Sequence, residues 1–216
     1  MLLYEISFIK WRLFMLIDIT QETKIGKIYR PGSPALSVKE IVCSEGTKSE
    51  YKTIEYTIAT HNMGTHIDVM GVGVNIPLER LIGKGIKYDV SHITDRPVEV
   101  EDIDLSLIEG GEFIFFQTNW DRYLMEDKYA DHPEISIGLA EKLTELDINM
   151  VGIDALGIGR GKNHGTIDKL LGKAKKYAIE NLCNLDKIPT KGFKVYCLPT
   201  KIEGLDALPA RILVEF

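Results

Sequence analysis

Short apolar runs of strand length dominate this chain, and long helical stripes are few. Val38 to Cys43 and Tyr51 to Thr60 read as strands, the second alternating Ile54, Tyr56 and Ile58 onto one face. The polar stretch Ser44 to Glu50 between them reads as a turn. Ile86 to Ile93 reads as a further strand, and Glu112 to Gln117 as a continuous apolar run of the kind covered on both faces. Met150 to Ile153 reads as the next buried strand. Helical spacing occurs twice. Ile137 to Leu146 sets Ile137, Ala140, Leu143 and Thr144 on one side, and Thr166 to Tyr177 does the same with Ile167, Leu170, Leu171 and Ala174. Pro77 to Leu81 reads as a short helical turn. Strands outnumber helices in mixed order, an α/β pattern that leaves the topology open, and no repeat, low-complexity run or linker divides the chain.

Composition narrows this picture. At 216 residues and 44% hydrophobic, the chain buries one substantial core as a single domain. A net charge of −6 argues against nucleic-acid and anionic-membrane partners, both of which select basic patches. The three cysteines, Cys43, Cys183 and Cys197, are odd in number, widely spaced and free of any C-x-x-C pair. That usage suits a reducing cytoplasm and offers no disulfide framework or structural zinc site. The segment from Met1 to Phe14 is apolar but interrupted by Glu5, Lys10 and Arg12. It is too short and too charged to span a bilayer, and it lacks the marks of a secretory signal.

Candidate chemistry is concentrated in Gly64-Thr65-His66-Ile67-Asp68. In an extended segment, side chains at i and i+2 leave the same face, so His66 and Asp68 point together, and Gly64 admits a ligand or a second backbone. A neutral imidazole and a carboxylate are standard ligands for zinc or manganese.

From Met15 onward the chain resembles the cyclase / kynurenine formamidase family of metal-dependent hydrolases, which includes isatin hydrolases. The family signature H-x-G-T-H-x-D-x-P-x-H runs alongside Asn62 to Val72. Other landmarks follow in order: Leu16 to Thr20 like the opening strand, Pro31 to Pro34 like a P-G-D-P turn, and Gln117 to Trp120 like the T-G-W after a core strand. Asp131 to Pro133, Val151 to Asp154, Ile179 to Leu182 and Leu208 to Arg211 resemble the D-H-P, G-I-D, E-N-L and P-x-R segments. The resemblance implies an α/β fold of swivelling β/β/α architecture over residues 15–216, homodimers or homotetramers, and one or two divalent metal ions, zinc or manganese. Residues 1–14 are then an N-terminal extension or an over-long start assignment.

Carried over residue by residue, the resemblance implies metal ligands at His66, Asp68 and Glu180. It also marks substitutions. Asn62 stands at the first histidine of the signature, Val72 at its acid/base histidine, Asp168 at the histidine of the later helix, and Arg30 at a substrate-contacting tryptophan. Asn62 offers a carbonyl oxygen to a harder cation. His164, four residues before Asp168, is positioned to swing toward the same site, although a solvated loop histidine is an equal reading. Asp168 also suits a helix N-terminus without any ligand. His61, one residue off the pleat, is expected to face away in a structural role unless a bulge re-aims it, and His132 to support a turn. Val72 supplies no acid/base help, a loss of roughly 10² to 10⁴ in rate, so the proton falls to Glu180 or Asp168.

Two functions follow. One is a cytoplasmic metal-dependent hydrolase of a C–N amide bond in a formamide, lactam or cyclic amide, acting on a small-molecule substrate. The other is a degenerate family member that binds a small molecule or metal, or serves as a structural oligomer.

Overall fold

The structure, a computed structural model, describes residues 14–71 and 75–216. Val72, and all of the N-terminal extension except Phe14, lie outside the described residues. The strands are β1 (Leu16–Asp18), β2 (Ser37–Cys43), β3 (Tyr51–Thr57), β4 (His66–Asp68), β5 (Ile82–Asp89), β6 (Glu112–Gln117), β7 (Ile148–Ile153), β8 (Ala178–Glu180), β9 (Lys191–Pro199) and β10 (Ala207–Glu215). The helices are α1 (Ile137–Glu145) and α2 (His164–Lys173).

Seven strands close into a barrel in the order β10-β4-β8-β7-β6-β5-β9, the last pairing back onto β10. Strands β5 to β8 pair in parallel through β6 and β7, and the other pairings are antiparallel. Closure satisfies the edges that an open sheet leaves bare. Strand β10 is long enough to pair with β4 at Ala207 to Pro209 and with β1 at Leu213 to Glu215 along one edge, while β9 takes the other.

Alternation along β6 divides the apolar side chains between two cores. Phe113 and Phe115 join Ile67, Met150, Ile179, Val195 and Ile212, contributed from around the barrel, and fill its interior. Ile114 and Phe116 face outward onto Leu139 and Leu143 of α1 and Ile167 and Leu171 of α2. Covered on both sides, β6 and β7 read as continuous apolar runs.

Several boundaries differ from the sequence reading, each for a local reason. Helix α1 starts where Ser136 caps it, its hydroxyl accepting from the Leu139 N–H at 3.0 Å. Its buried face is Leu139, Ala140 and Leu143, leaving Ile137 and Thr144 less covered. Helix α2 begins two residues early, at His164, and stops at Lys173, because Lys175 turns into the left-handed region at φ 57°. Strand β5 runs from Ile82 to Asp89, four residues ahead of the expected span. Its start was masked by Gly83 and Gly85, which the packing requires: a Cβ on Gly85 would lie 2.0 Å from the Phe193 ring. Strands β2 and β3 form a separate two-stranded ribbon. Ile54 and Tyr56 share a face of it with Val38, as their alternation predicts, but that face is exposed. Among the described residues, no helix is long and apolar enough to cross a membrane.

Candidate metal centre

Antiparallel pairing of β4 with β8 sets His66 directly opposite Glu180, and Asp68 opposite Ala178. Cross-strand neighbours share a face. His66 Nε2 and Glu180 Oε2 accordingly lie 3.4 Å apart, both side chains almost wholly buried. Gly64 permits the entry into β4: at φ +60° a Cβ there would meet the Thr23 hydroxyl at 2.1 Å. Helix α2 then presents His164 and Asp168 from successive turns, with His164 Nε2 3.5 Å from Asp168 Oδ2.

Two groups of donor atoms result. His61, His66 and Asp68 form one, and His164, Asp168 and Glu180 the other, the atoms within each lying no more than 4.8 Å apart. The His66–Glu180 contact joins them into one centre. Both central imidazoles are oriented alike. His66 Nδ1 is 3.1 Å from the Gly64 carbonyl, and His164 Nδ1 is 3.2 Å from the Gly159 carbonyl. A carbonyl only accepts, so each Nδ1 carries a proton and each Nε2 faces the centre, where it ligates once unprotonated. Outer-shell carbonyls fix the tautomer of metal-binding histidines in this way.

The electrostatics are costly without a cation. Burial, and then the Glu180 charge, push Asp68 above its ordinary value. Burial, Glu180 and Asp68 together push Asp168 up to about 9. Burial works against both charges of the His66–Glu180 pair. The pair's mutual attraction overcomes it, holding the imidazole above its usual value and the carboxyl below. His66 Nε2, Asp168 Oδ1 and Glu180 Oε1 are all buried without a hydrogen-bond partner. Orphaned buried polar atoms are rare in folded proteins. Three within two adjoining groups of nitrogen and carboxylate donors fit a divalent cation.

The fold thus brings together His66, Asp68, His164, Asp168 and Glu180. Asn62 and Arg30 lie beside them in a different arrangement. Arg30 Nη1 donates to Asn62 Oδ1 at 2.9 Å and lies 3.4 Å from His164 Nε2. His61 departs from expectation. A pleat running back from His66 would turn His61 away, but β4 starts only at His66, and residues 61–65 form a bending loop. That loop turns the His61 ring to 5.2 Å from the ring of His66. Its Nδ1 also sits 3.5 Å from Asp206 Oδ1. His132 is buried with Nδ1 against the Pro133 carbonyl at 2.8 Å, as a turn-supporting histidine would be.

Residues 17–160 match the model of the family described as "Putative cyclase". Kynurenine formamidase from Sphingopyxis alaskensis is 26% identical over 208 residues, covering 92% of this chain and 96% of that protein. Among solved structures, a predicted metal-dependent hydrolase from Bacillus stearothermophilus superposes with a TM-score of 0.75 at 28% identity, covering 94% of this chain and 99% of that one. Isatin hydrolase A from Labrenzia aggregata, bound to benzyl benzoate, superposes with a TM-score of 0.74 at 20% identity, covering 94% and 93%.

Proposed function

We propose that this chain, which belongs to the cyclase family, is a metal-dependent amidohydrolase that cleaves the C–N bond of a formamide, lactam or cyclic amide. The observation that carries the reading is the pair of adjoining donor groups, His61, His66 and Asp68 beside His164, Asp168 and Glu180, with unpartnered buried atoms on His66, Asp168 and Glu180 and the imidazoles of His66 and His164 turned Nε2 inward. His66, Asp68 and Glu180 hold the cation, with His164 and Asp168 completing the second group. His61 takes the place of the signature's first histidine, one residue early, because Asn62 at that position is engaged by Arg30.

When bound, a divalent cation supplies Lewis acidity, polarising a carbonyl and acidifying water. The chain's residues do the rest. His66 and His164 are oriented in advance by backbone carbonyls, so no reorganisation is required when substrate arrives. Asp168 on α2 and Glu180 on β8 stand side by side in one donor group, and one of them carries the proton to the departing nitrogen. Arg30 borders the same centre and orients substrate through its unused N–H groups.

The test is elemental analysis of protein purified with zinc or manganese supplied, followed by an assay for formate release from aryl formamides and for ring opening of cyclic amides. One or two ions per chain with turnover supports the reading. A chain that carries no ion under either condition refutes it.

A further inference from the structure

Alongside the metal centre lies a small pocket of about 260 Å³, walled by Arg30, His132, Gly159, Arg160 and His164 among others. His164 belongs to both, so the pocket adjoins the donor set. No aspartate or glutamate lines it. In a chain with 32 acidic and 26 basic residues, two arginines in an acid-free pocket are a local reversal of charge. Arg96 and Arg211 are matched with the carboxylates of Asp102 and Asp18, whereas Arg30 and Arg160, like Arg80 and Arg122, are not, among the described residues. Arg30 spends one nitrogen on Asn62, and Arg160 spends one on the Asp131 carbonyl at 2.6 Å. Of the five N–H donors in each guanidinium, several remain unassigned.

We infer that this pocket holds the carboxylate of an anionic amide substrate, gripped by Arg30 and Arg160 while the amide lies over the metal centre. The inference rests on the amidohydrolase reading and adds a substrate class to it. Two guanidinium forks suit a planar carboxylate, which accepts paired N–H bonds in one plane. Placement follows from charge: the pocket one histidine away from the donor set carries two guanidiniums and no carboxylate. The loop from Gly157 to Gly161 fixes the wall. A Cβ on Gly159 would press within 2.9 Å of the His164 backbone, so loop and α2 are packed together and Arg160 is carried on a braced segment.

The experiment uses zinc-loaded full-length protein and two readouts. Calorimetric titration compares 2-, 3- and 4-aminobenzoate with aniline, and turnover compares the matching formamidobenzoates with formanilide. At least one aminobenzoate should bind about tenfold or more tighter than aniline. Arg160→Gln should remove most of that preference, and Arg160→Lys should restore part of it, with zinc content and melting temperature unchanged. Arg160 is the primary probe because Arg30 also touches Asn62 and His164. An anion preference that survives both Arg30→Gln and Arg160→Gln overturns the assignment, as does the lack of any preference. The two readings fail separately. Protein that turns over none of the formamides yet binds aminobenzoate in an Arg160-dependent manner sinks the amidohydrolase reading and leaves the carboxylate pocket standing.

Discussion

Replacing Asp168 by asparagine should stabilise the metal-free protein at alkaline pH, the reverse of what losing a buried polar group usually does. Asp168 is 2% exposed, one of its oxygens has no partner, and burial with the charges of Glu180 and Asp68 pushes it up to about 9. Its unfolded value is 3.8. Between those limits the folded chain binds a proton that the unfolded chain has released. The stabilisation is complete below pH 4 and is lost as pH rises toward 9, at about 1.4 kcal/mol per pH unit. From pH 5 to 8 that amounts to about 4 kcal/mol, a large share of a typical domain's stability. His66, also raised, adds a loss of the same sign above pH 6.5, whereas the depressed Glu180 acts only below 4.5. Because the carboxylates interact, the slope belongs to the set. Urea unfolding in chelator at each pH unit measures it. Asp168→Asn should flatten the slope and exceed the native chain in stability at pH 8. It should also lose the stabilisation that added zinc gives, which for the native chain is about 2.7 kcal/mol at a hundredfold excess over Kd. Metal-free stability that is flat or rises from pH 5 to 8, or a variant weaker at pH 8, refutes the reasoning.

Three further outcomes are expected. His66→Ala should abolish stoichiometric metal binding, read by elemental analysis, because it removes the one imidazole in direct contact with Glu180. Val72→His, restoring the acid/base group of the family signature, should raise formamide turnover in steady-state assays, whereas an unchanged rate would mean that Asp168 or Glu180 already carries the proton. Gly152→Ala in β7 should cost about 1–3 kcal/mol in denaturant unfolding, because a Cβ there would meet Phe115 at 2.7 Å and Leu182 at 2.8 Å in a closed core.

The strands that were legible were those with unbroken apolar composition. Strands β6 and β7 are covered on both faces, and their runs of buried residues are visible without any knowledge of their neighbours. Strands β9 and β10, which close the barrel, left a fainter trace. Strand β9 alternates Phe193, Val195 and Cys197 with lysine, tyrosine and leucine, and β10 opens with a proline at its third residue. Pro209 is tolerated there because β10 changes partner at this point, from β4 at Ala207 to Pro209 to β9 from Ala210 onward. Closure is a non-local property, so local periodicity carries no record of it.

The centre shows the same division between local and distant information. The i, i+2 spacing of His66 and Asp68 is a local fact, and it held because β4 is a strand at that point. Their partnership with Glu180 depends on the register of β4 against β8, two segments more than a hundred residues apart that touch only in the barrel. His61 was missed for a related reason: its direction depends on where β4 begins, and two histidines five residues apart share a face only if the backbone bends between them. Gly64, in the left-handed region that favours glycine, is that bend. A single glycine therefore does two things at once. It packs the lead-in of β4 against Thr23, and it ends the pleat early enough for His61 to turn back onto His66. Asn62 accepts from Arg30, and it is His61, the neighbouring residue, whose imidazole lies within reach of His66 and Asp68.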